Sequence, residues 1–336
     1  MKRLIVCCDG TWNRADQTSP TNVVKLKAAV AERDADGVVQ RVHYEPGVGT
    51  RPRERFVGGG LGVGLSQNVR SCYRFLVDSY EPGDELYFFG FSRGAFTARS
   101  TAGFVRNCGI LRREERGRVD EAYALYRARG DARKPSGAIA ERFRADYSHP
   151  DTPIHFIGVW DTVGSLGIPI PLLPSFITRR WTFHDTELSR SVRNAYHALA
   201  IDEQRGPFKP TLWTQHPEAH DQVLRQRWFA GVHCDVGGGY PETALSEITL
   251  QWIAESAREC GLALDVDVAG DPLGPLHDSR TGFYRRLPRH QRVLVGTVEG
   301  SISPSVDDRC AGADLDPVYL PTSVAAWREA LAKAVA

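Results

Sequence analysis

Within Glu85–Arg99 the chain reads Gly90-Phe91-Ser92-Arg93-Gly94, a serine between two glycines in a G-x-S-x-G pattern. A serine hydroxyl is a weak nucleophile until an imidazole takes its proton and a carboxylate orients that imidazole. A sharp strand-to-helix turn strains the serine backbone and lifts its hydroxyl clear of a sheet. Gly90 and Gly94 fall where strand and helix must pass closely, and Ala95, Ala98 and Ala102 prolong that approach. With 32 glycines in 336 residues, the bare pentapeptide arises by chance on the order of 0.2 times. Its context makes it specific: Leu86–Phe89 is an apolar run that reads as a buried strand, and Ala95–Val105 reads as a helix with one small-residue face. Ser92 is the candidate nucleophile.

Its partners should stand at other strand ends. Pro153–Trp160 reads as a strand that stops at Asp161, which puts a carboxylate on the rim where parallel sheets bind ligands. Asp161 is the candidate acid. Arg227–Val232 reads as the last core strand and delivers His233, ahead of the Gly237-Gly238-Gly239 loop and a helix over Ser246–Cys260. Of ten histidines only His233 has that position; His155 falls within a strand and His197 within a helix expected over Leu188–Leu199. The order Ser92, Asp161, His233 is the chain order of α/β hydrolases, with His233 as general base. The oxyanion hole would take one backbone N–H from Arg93 and another from the Gly10-Thr11 turn after the first strand. Asp9 would otherwise only cap that turn, since Asp-Gly is a common turn pair.

These positions require an α/β fold of α/β-hydrolase type: a mostly parallel central sheet, helices on both faces, and inserted loop or flap segments. Leu4–Cys8 is continuously apolar, as a strand covered on both faces is. A helix capped by Thr21-Asn22 runs from Val23 to Arg33, and Val38–Tyr44 alternates as a second strand. Gly47–Gly64 is rich in glycine and arginine but has no phosphate-loop signature, so it reads as a mobile loop near the pocket. Helices are expected over Leu65–Tyr80, Val119–Arg129, Ala138–Arg144 and Ser323–Val335. Three prolines interrupt the apolar run Gly164–Trp181, which reads as a flap over the pocket or a packed connector. One domain over 1–336 is expected, with a flap or insert at 164–225 and a C-terminal extension at 261–336.

Composition narrows the function. With 42 basic and 41 acidic residues the formal net charge is +1, which provides no field for nucleic acid or an anionic membrane. Arg112–Arg118 reads as a solvated face. Seven cysteines include no C-x-x-C and no zinc spacing, so reduced thiols, no metal and no cofactor are expected. Cys7 and Cys8 adjoin on a strand and should face opposite sides. The start of the chain lacks the apolar core of a signal peptide, so a cytoplasmic protein is expected, with export by a signal-less route left open.

With these residues in place, the chain resembles the α/β-hydrolase family catalogued as domain of unknown function 2235, whose members include type VI secretion phospholipase effectors. The resemblance rests on Asp9-Gly10-Thr11-Trp12-Asn13, Glu45-Pro46-Gly47-Val48-Gly49-Thr50, Gly90–Arg99, Val159–Gly164, His233–Tyr240 and Ile302–Val306. It implies Ser92, Asp161 and His233 as a triad that cleaves a carboxylic ester through an acyl-enzyme, with a small-molecule or lipid ester as substrate. Transient contact with a membrane surface would follow from a lipid substrate. Effector members carry long additional membrane-association regions, so the resemblance implies ester hydrolysis more directly than a phospholipid substrate. Two readings from other classes stay open: a catalytically silent interaction protein on the same fold, and a phosphate-directed enzyme using Asp9, Asp235 and the arginine-rich loop. Acyl length and oligomeric state leave no mark in the sequence.

Overall fold

The computed structural model describes residues 1–50, 60–128, 130–164, 187–294, 300–313 and 315–335. Eight strands are described: β1 (Arg3–Cys8), β2 (Gln40–Glu45), β3 (Glu85–Phe91), β4 (Ile154–Trp160), β5 (Glu187–Leu188), β6 (Val192–Ala200), β7 (Thr214–Gln215) and β8 (Val223–Phe229). Six of them form one sheet in the order β2-β1-β3-β4-β6-β8, and every pairing within it is parallel. The short β5 and β7 pair separately. A parallel sheet needs cover on both faces, and the strand interiors show it: β1 is buried along its whole length.

Side chains alternate across β1. Leu4, Val6 and Cys8 pack with α2 (Gly60–Ser79) and α3 (Arg93–Cys108), while Ile5 and Cys7 pack on the opposite face with α1 (Asn22–Ala29). The adjacent cysteines therefore face opposite sides, as expected, and all seven cysteines are free thiols. Helices α4 (Val119–Arg127) and α5 (Ala138–Tyr147) extend the α2–α3 layer. Beyond β8 come the short α6 (His233–Gly237) and then α7 (Ala244–Glu259), which covers the α1 face. Asn22, fully buried, ties α1, α6 and α7 together by donating through Nδ2 to Val236 O, Ser246 O and Thr249 Oγ1.

The helix expected over Leu188–Leu199 is instead β6. Alanine and leucine favour helix when exposed, but here Ala195, Ala198 and Ala200 are fully buried between β4 and β8. Pairing on both edges outweighs a propensity difference of about 0.5 kcal/mol per residue. That part of the expected 164–225 insert thus belongs to the sheet, and residues 165–186, most of the expected flap, lie outside the described residues. The loop expected at Gly47–Gly64 also falls partly outside them, and from Gly60 the chain is already α2.

The segment expected as a C-terminal extension packs on the β8 edge. Ile302 makes a parallel bridge to Trp228, and Val306 of α8 (Pro304–Ala311) and Val324 of α9 (Thr322–Val335) join Leu199, Ile201 and Trp228 in one buried cluster.

Candidate active site

The sheet brings the candidate residues together at its carboxyl edge. In the β3–β4 register Phe91 lies opposite Trp160, so Ser92 and Asp161 leave neighbouring strands at the same level. The Ser92 N–H donates to Trp160 O at 3.0 Å. Ser92 has φ 57° and ψ −121°, a left-handed conformation that costs a side-chain-bearing residue about 1–3 kcal/mol. Glycine is required beside it on both sides. A Cβ on Gly90 would stand 2.7 Å from backbone atoms of Gly94 and Ala95, and one on Gly94 would stand 2.2 Å from Cys8 O. Both contacts fall well inside van der Waals range, so the elbow presses directly on the end of β1.

That contact sets the expected oxyanion turn beside Ser92: a Cβ on Gly10 would lie 3.4 Å from Ser92 Cβ. The Gly10 N–H, however, donates to its neighbour, Asp9 Oδ1, at 2.7 Å. Asp9 also accepts from Thr21 Oγ1 at 2.9 Å and from Tyr44 O–H at 2.7 Å. The carboxylate thus braces the turn and engages the Gly10 N–H, one of the two donors expected there. Arg93 begins α3, where the first N–H groups of a helix have no partner within it.

Asp161 directly follows β4 and is fully buried. Its Oδ2 lies 2.5 Å from His233 Nδ1, and its Oδ1 accepts from Ala200 N at 3.1 Å. The Arg292 guanidinium grips both oxygens, at 2.5 Å to Oδ1 and 2.9 Å to Oδ2, and also donates to the carbonyls of Ala200 and Phe208. Burial works to raise the Asp161 carboxyl, but the charge of Arg292 and the hydrogen bond to His233 outweigh it and hold the group well below the usual carboxylate range. Asp161 stays ionised.

His233 opens α6 and is buried. Its ring rests on the ring of Phe91, the residue before Ser92, with centroids 4.6 Å apart, and meets the ring of Phe208 edge-on at 4.9 Å. Its backbone N–H donates to Glu203 Oε2 at 3.3 Å. Glu203, itself buried, pairs with Arg205 at 2.8 Å and accepts from Ser279 Oγ at 2.9 Å. The Arg205 guanidinium lies 3.6 Å over the Phe208 ring, completing a circuit that fixes the imidazole. Burial lowers the His233 pKa, against the raising effect of Asp161.

Arg292, Glu203, Arg205 and Phe208 escaped sequence reasoning. Arg292 lies in a stretch without periodicity, 131 residues from the aspartate it holds, so no spacing could announce it. Asp235 is occupied structurally: its Oδ2 accepts from Val232 N at 2.9 Å and its Oδ1 lies 2.6 Å from His277 Nδ1. Asp9 and Asp235, the two carboxylates of the phosphate-directed reading, are thus both engaged in structural hydrogen bonds. His197 also lies apart, buried on β6, where its Nε2 accepts from Thr162 N at 3.0 Å.

The family model for the type VI secretion system phospholipase effector Tle1-like catalytic domain matches residues 2–256. An uncharacterized protein of Saccharomyces cerevisiae, YEL023C, is 31% identical over 237 residues, covering 64% of this chain and 33% of its own. Among solved structures, an uncharacterized protein from Pseudomonas aeruginosa aligns at TM-score 0.41 and 19% identity, over 79% of this chain and 46% of its own. The Tle1 effector, solved bound to the VgrG spike of the type 6 secretion system, aligns at TM-score 0.41 and 20% identity, over 72% and 52%. The chain thus spans about a third of the yeast protein and about half of the two solved chains.

Proposed function

Because the chain belongs to the Tle1-like phospholipase effector catalytic-domain family, we propose that it is a serine hydrolase cleaving a carboxylic ester of a lipid. The observation that carries this reading is the pairing of His233 with Asp161 at 2.5 Å beside a serine held at φ 57°. In the proposed reaction His233 Nε2 takes the Ser92 Oγ proton as Oγ attacks the ester carbonyl. Asp161 holds Nδ1–H and stabilises the imidazolium that forms. The oxyanion is met by the N–H groups of Arg93 and Thr11, and its collapse expels the alcohol, which takes the proton from His233. Water, deprotonated by the same imidazole, then releases the fatty acid and restores Ser92.

A lipid fits the surroundings of the site. Trp12, in the turn beside Ser92, is 63% exposed with the Arg93 guanidinium 5.9 Å over its ring. Phe283 is 52% exposed and its ring lies next to that of Tyr284, which in turn packs on Phe208. Val293, adjacent to Arg292, is 75% exposed. Apolar side chains bare to water around a polar centre suit a substrate that presents acyl chains.

The test is covalent labelling with a fluorophosphonate, followed by assay on p-nitrophenyl esters and phospholipids. Wild type should label once, and Ser92→Ala, with an unchanged circular dichroism spectrum, should neither label nor turn over. Residual activity above roughly a tenth in Ser92→Ala removes Ser92 from the role, since loss of a nucleophile costs several orders of magnitude. Absence of labelling in wild type would favour the catalytically silent reading.

A further inference from the structure

Three metal-binding side chains, His43, Glu45 and Cys72, converge behind the candidate oxyanion turn, on the face that β1 and β2 present to α2. In the parallel register Val6 lies beside His43 and Cys8 beside Glu45, so the alternation of the strands points His43, Glu45 and Cys8 to one side. Helix α2 sets Cys72 on that side, with its Sγ 3.6 Å from Cys8 Sγ. His43 Nε2 lies 3.3 Å from Glu45 Oε2, and the donor atoms of His43, Glu45 and Cys72 all fall within 4.8 Å of one another. A tetrahedral zinc ion with bonds of about 2.0–2.1 Å to nitrogen and oxygen and about 2.3 Å to sulfur sets edges of roughly 3.3 Å between nitrogen and oxygen and roughly 3.8 Å between sulfurs. The 3.3 Å between His43 Nε2 and Glu45 Oε2 matches the nitrogen–oxygen edge.

We propose that Cys72 Sγ, His43 Nε2 and Glu45 Oε2 bind a zinc ion, with water in the fourth position. Thiolate with imidazole and carboxylate suits a borderline-soft ion and disfavours magnesium or calcium, which take oxygen donors. Entry is provided for. His43 keeps 24% of its side chain exposed and lines a surface cavity with Gln67, Ser71, Phe75 and the arginines Arg70, Arg74 and Arg116, whose charges are paired with Asp120 and Asp78, while Phe75 stacks on the imidazole at 5.0 Å and holds its plane. The absence of zinc spacing in the sequence says nothing against such a site, because its ligands come from β2 and α2, which only folding brings together.

The position gives the ion a structural task. Cys8 precedes Asp9, and Glu45 precedes Pro46-Gly47; the Asp9 N–H donates to Glu45 O at 2.9 Å. A Cβ on Gly47 would lie 1.7 Å from Gly10 O, so the two chains touch just above the site. An ion bridging β2 and α2 there would hold Glu45, whose carbonyl accepts from Asp9 N–H, and so pin the base of the turn that carries Gly10 and Thr11.

The full chain, stripped with a chelator and kept reduced by a phosphine, should be titrated with cobalt(II) and then zinc. Wild type should take up one cobalt per chain, with a thiolate-to-cobalt charge-transfer band and intense tetrahedral visible bands, both erased by one equivalent of zinc. Cys72→Ser should lose the charge-transfer intensity, and His43→Gln, at a partly exposed position that should leave folding intact, should bind at least roughly tenfold more weakly. Zinc should raise the unfolding temperature of wild type and leave that of His43→Gln unmoved. Well under one cobalt per chain, a spectrum without the charge-transfer band, or identical titrations of wild type and His43→Gln would each overturn the site.

Discussion

Arg292 makes Asp161 an unusual partner for an imidazole, because a guanidinium grips both oxygens of the carboxylate that should stabilise the charge forming on His233. The pair is buried at both ends. Removing one member of such a pair strands the other, at a cost of about 3–5 kcal/mol, whereas the intact pair contributes much less. Burial lowers the His233 pKa, so the imidazole should stay neutral, and able to accept the Ser92 proton, down to a pH below the ordinary value of 6.5. The rate constant kcat/KM should therefore fall on acidification through an apparent pKa below 6.5, because protonation removes the base. Arg292→Gln keeps donors near Asp161 but deletes the positive charge. The unshielded carboxylate should then favour the imidazolium more strongly and move that acid limb to higher pH, while urea unfolding reports the lost stability. An acid limb that stays put or moves down would sever the proposed electrostatic link. The candidate residues should also act as a unit: His233→Ala with Asp161→Ala should be scarcely slower than His233→Ala alone, as a pH-rate series and single-turnover kinetics on the three variants can check.

At the scale of elements, β6 teaches what sequence patterning conceals. Strands β1, β3 and β4 were legible because their apolar runs end at polar residues, which is how Ser92 and Asp161 became candidates. Strand β8 was legible only at its end, since it covers Val223–Phe229 through Arg225, Gln226 and Arg227 rather than the expected Arg227–Val232, and His233 follows after a short loop. Strand β6 reads Val-Arg-Asn-Ala-Tyr-His-Ala-Leu-Ala, in which small residues mark close neighbours on the sheet, and those neighbours are distant in sequence. Arg292, Glu203 and the His43–Cys72 cluster were hidden alike, since each depends on segments joined only by folding. His197, on β6, accepts the N–H of Thr162, the residue after Asp161, and so holds the end of β4. Burial, aided by the charge of Arg99, lowers its pKa to about 3. The unfolded chain binds the proton near pH 6.5 and the native state only near 3, so stability is fully present above about 6.5 and declines toward 3, by about 1.4 kcal/mol per pH unit from this group. His197→Gln, which keeps an acceptor without a titrating ring, should flatten the fall in urea-unfolding stability between about pH 6 and 4. It should change turnover less than His233→Ala does; the reverse order would make His197 the base.

At the scale of the molecule, a net charge of +1 leaves approach to a lipid surface to apolar contact rather than to charge. Among the described residues no helix is long and apolar enough to cross a membrane. The exposed apolar side chains near the site come from separate parts of the chain: Trp12 from the turn after β1, and Phe283 and Val293 from the segment beyond α7. That segment also supplies Arg292, so the residues that would touch the lipid are tied covalently to the one that holds Asp161. Burying a phenylalanine side chain in lipid is worth about 1.5–3 kcal/mol when complete, and partial insertion of Phe283 with Val293 should stabilise vesicle binding by about 1.4 kcal/mol, a factor of ten. The double variant Phe283→Ser with Val293→Ser should therefore hydrolyse phosphatidylcholine vesicles roughly tenfold more slowly, while its rate on a monomeric p-nitrophenyl ester stays within about twofold of wild type. Replacing part of the vesicle by an anionic lipid, or raising the salt, should change either rate little, since no basic surface is asked to act. Equal losses on vesicle and monomer would place these side chains in support of the triad, and a strong gain on anionic vesicles would shift the contact from apolar to electrostatic.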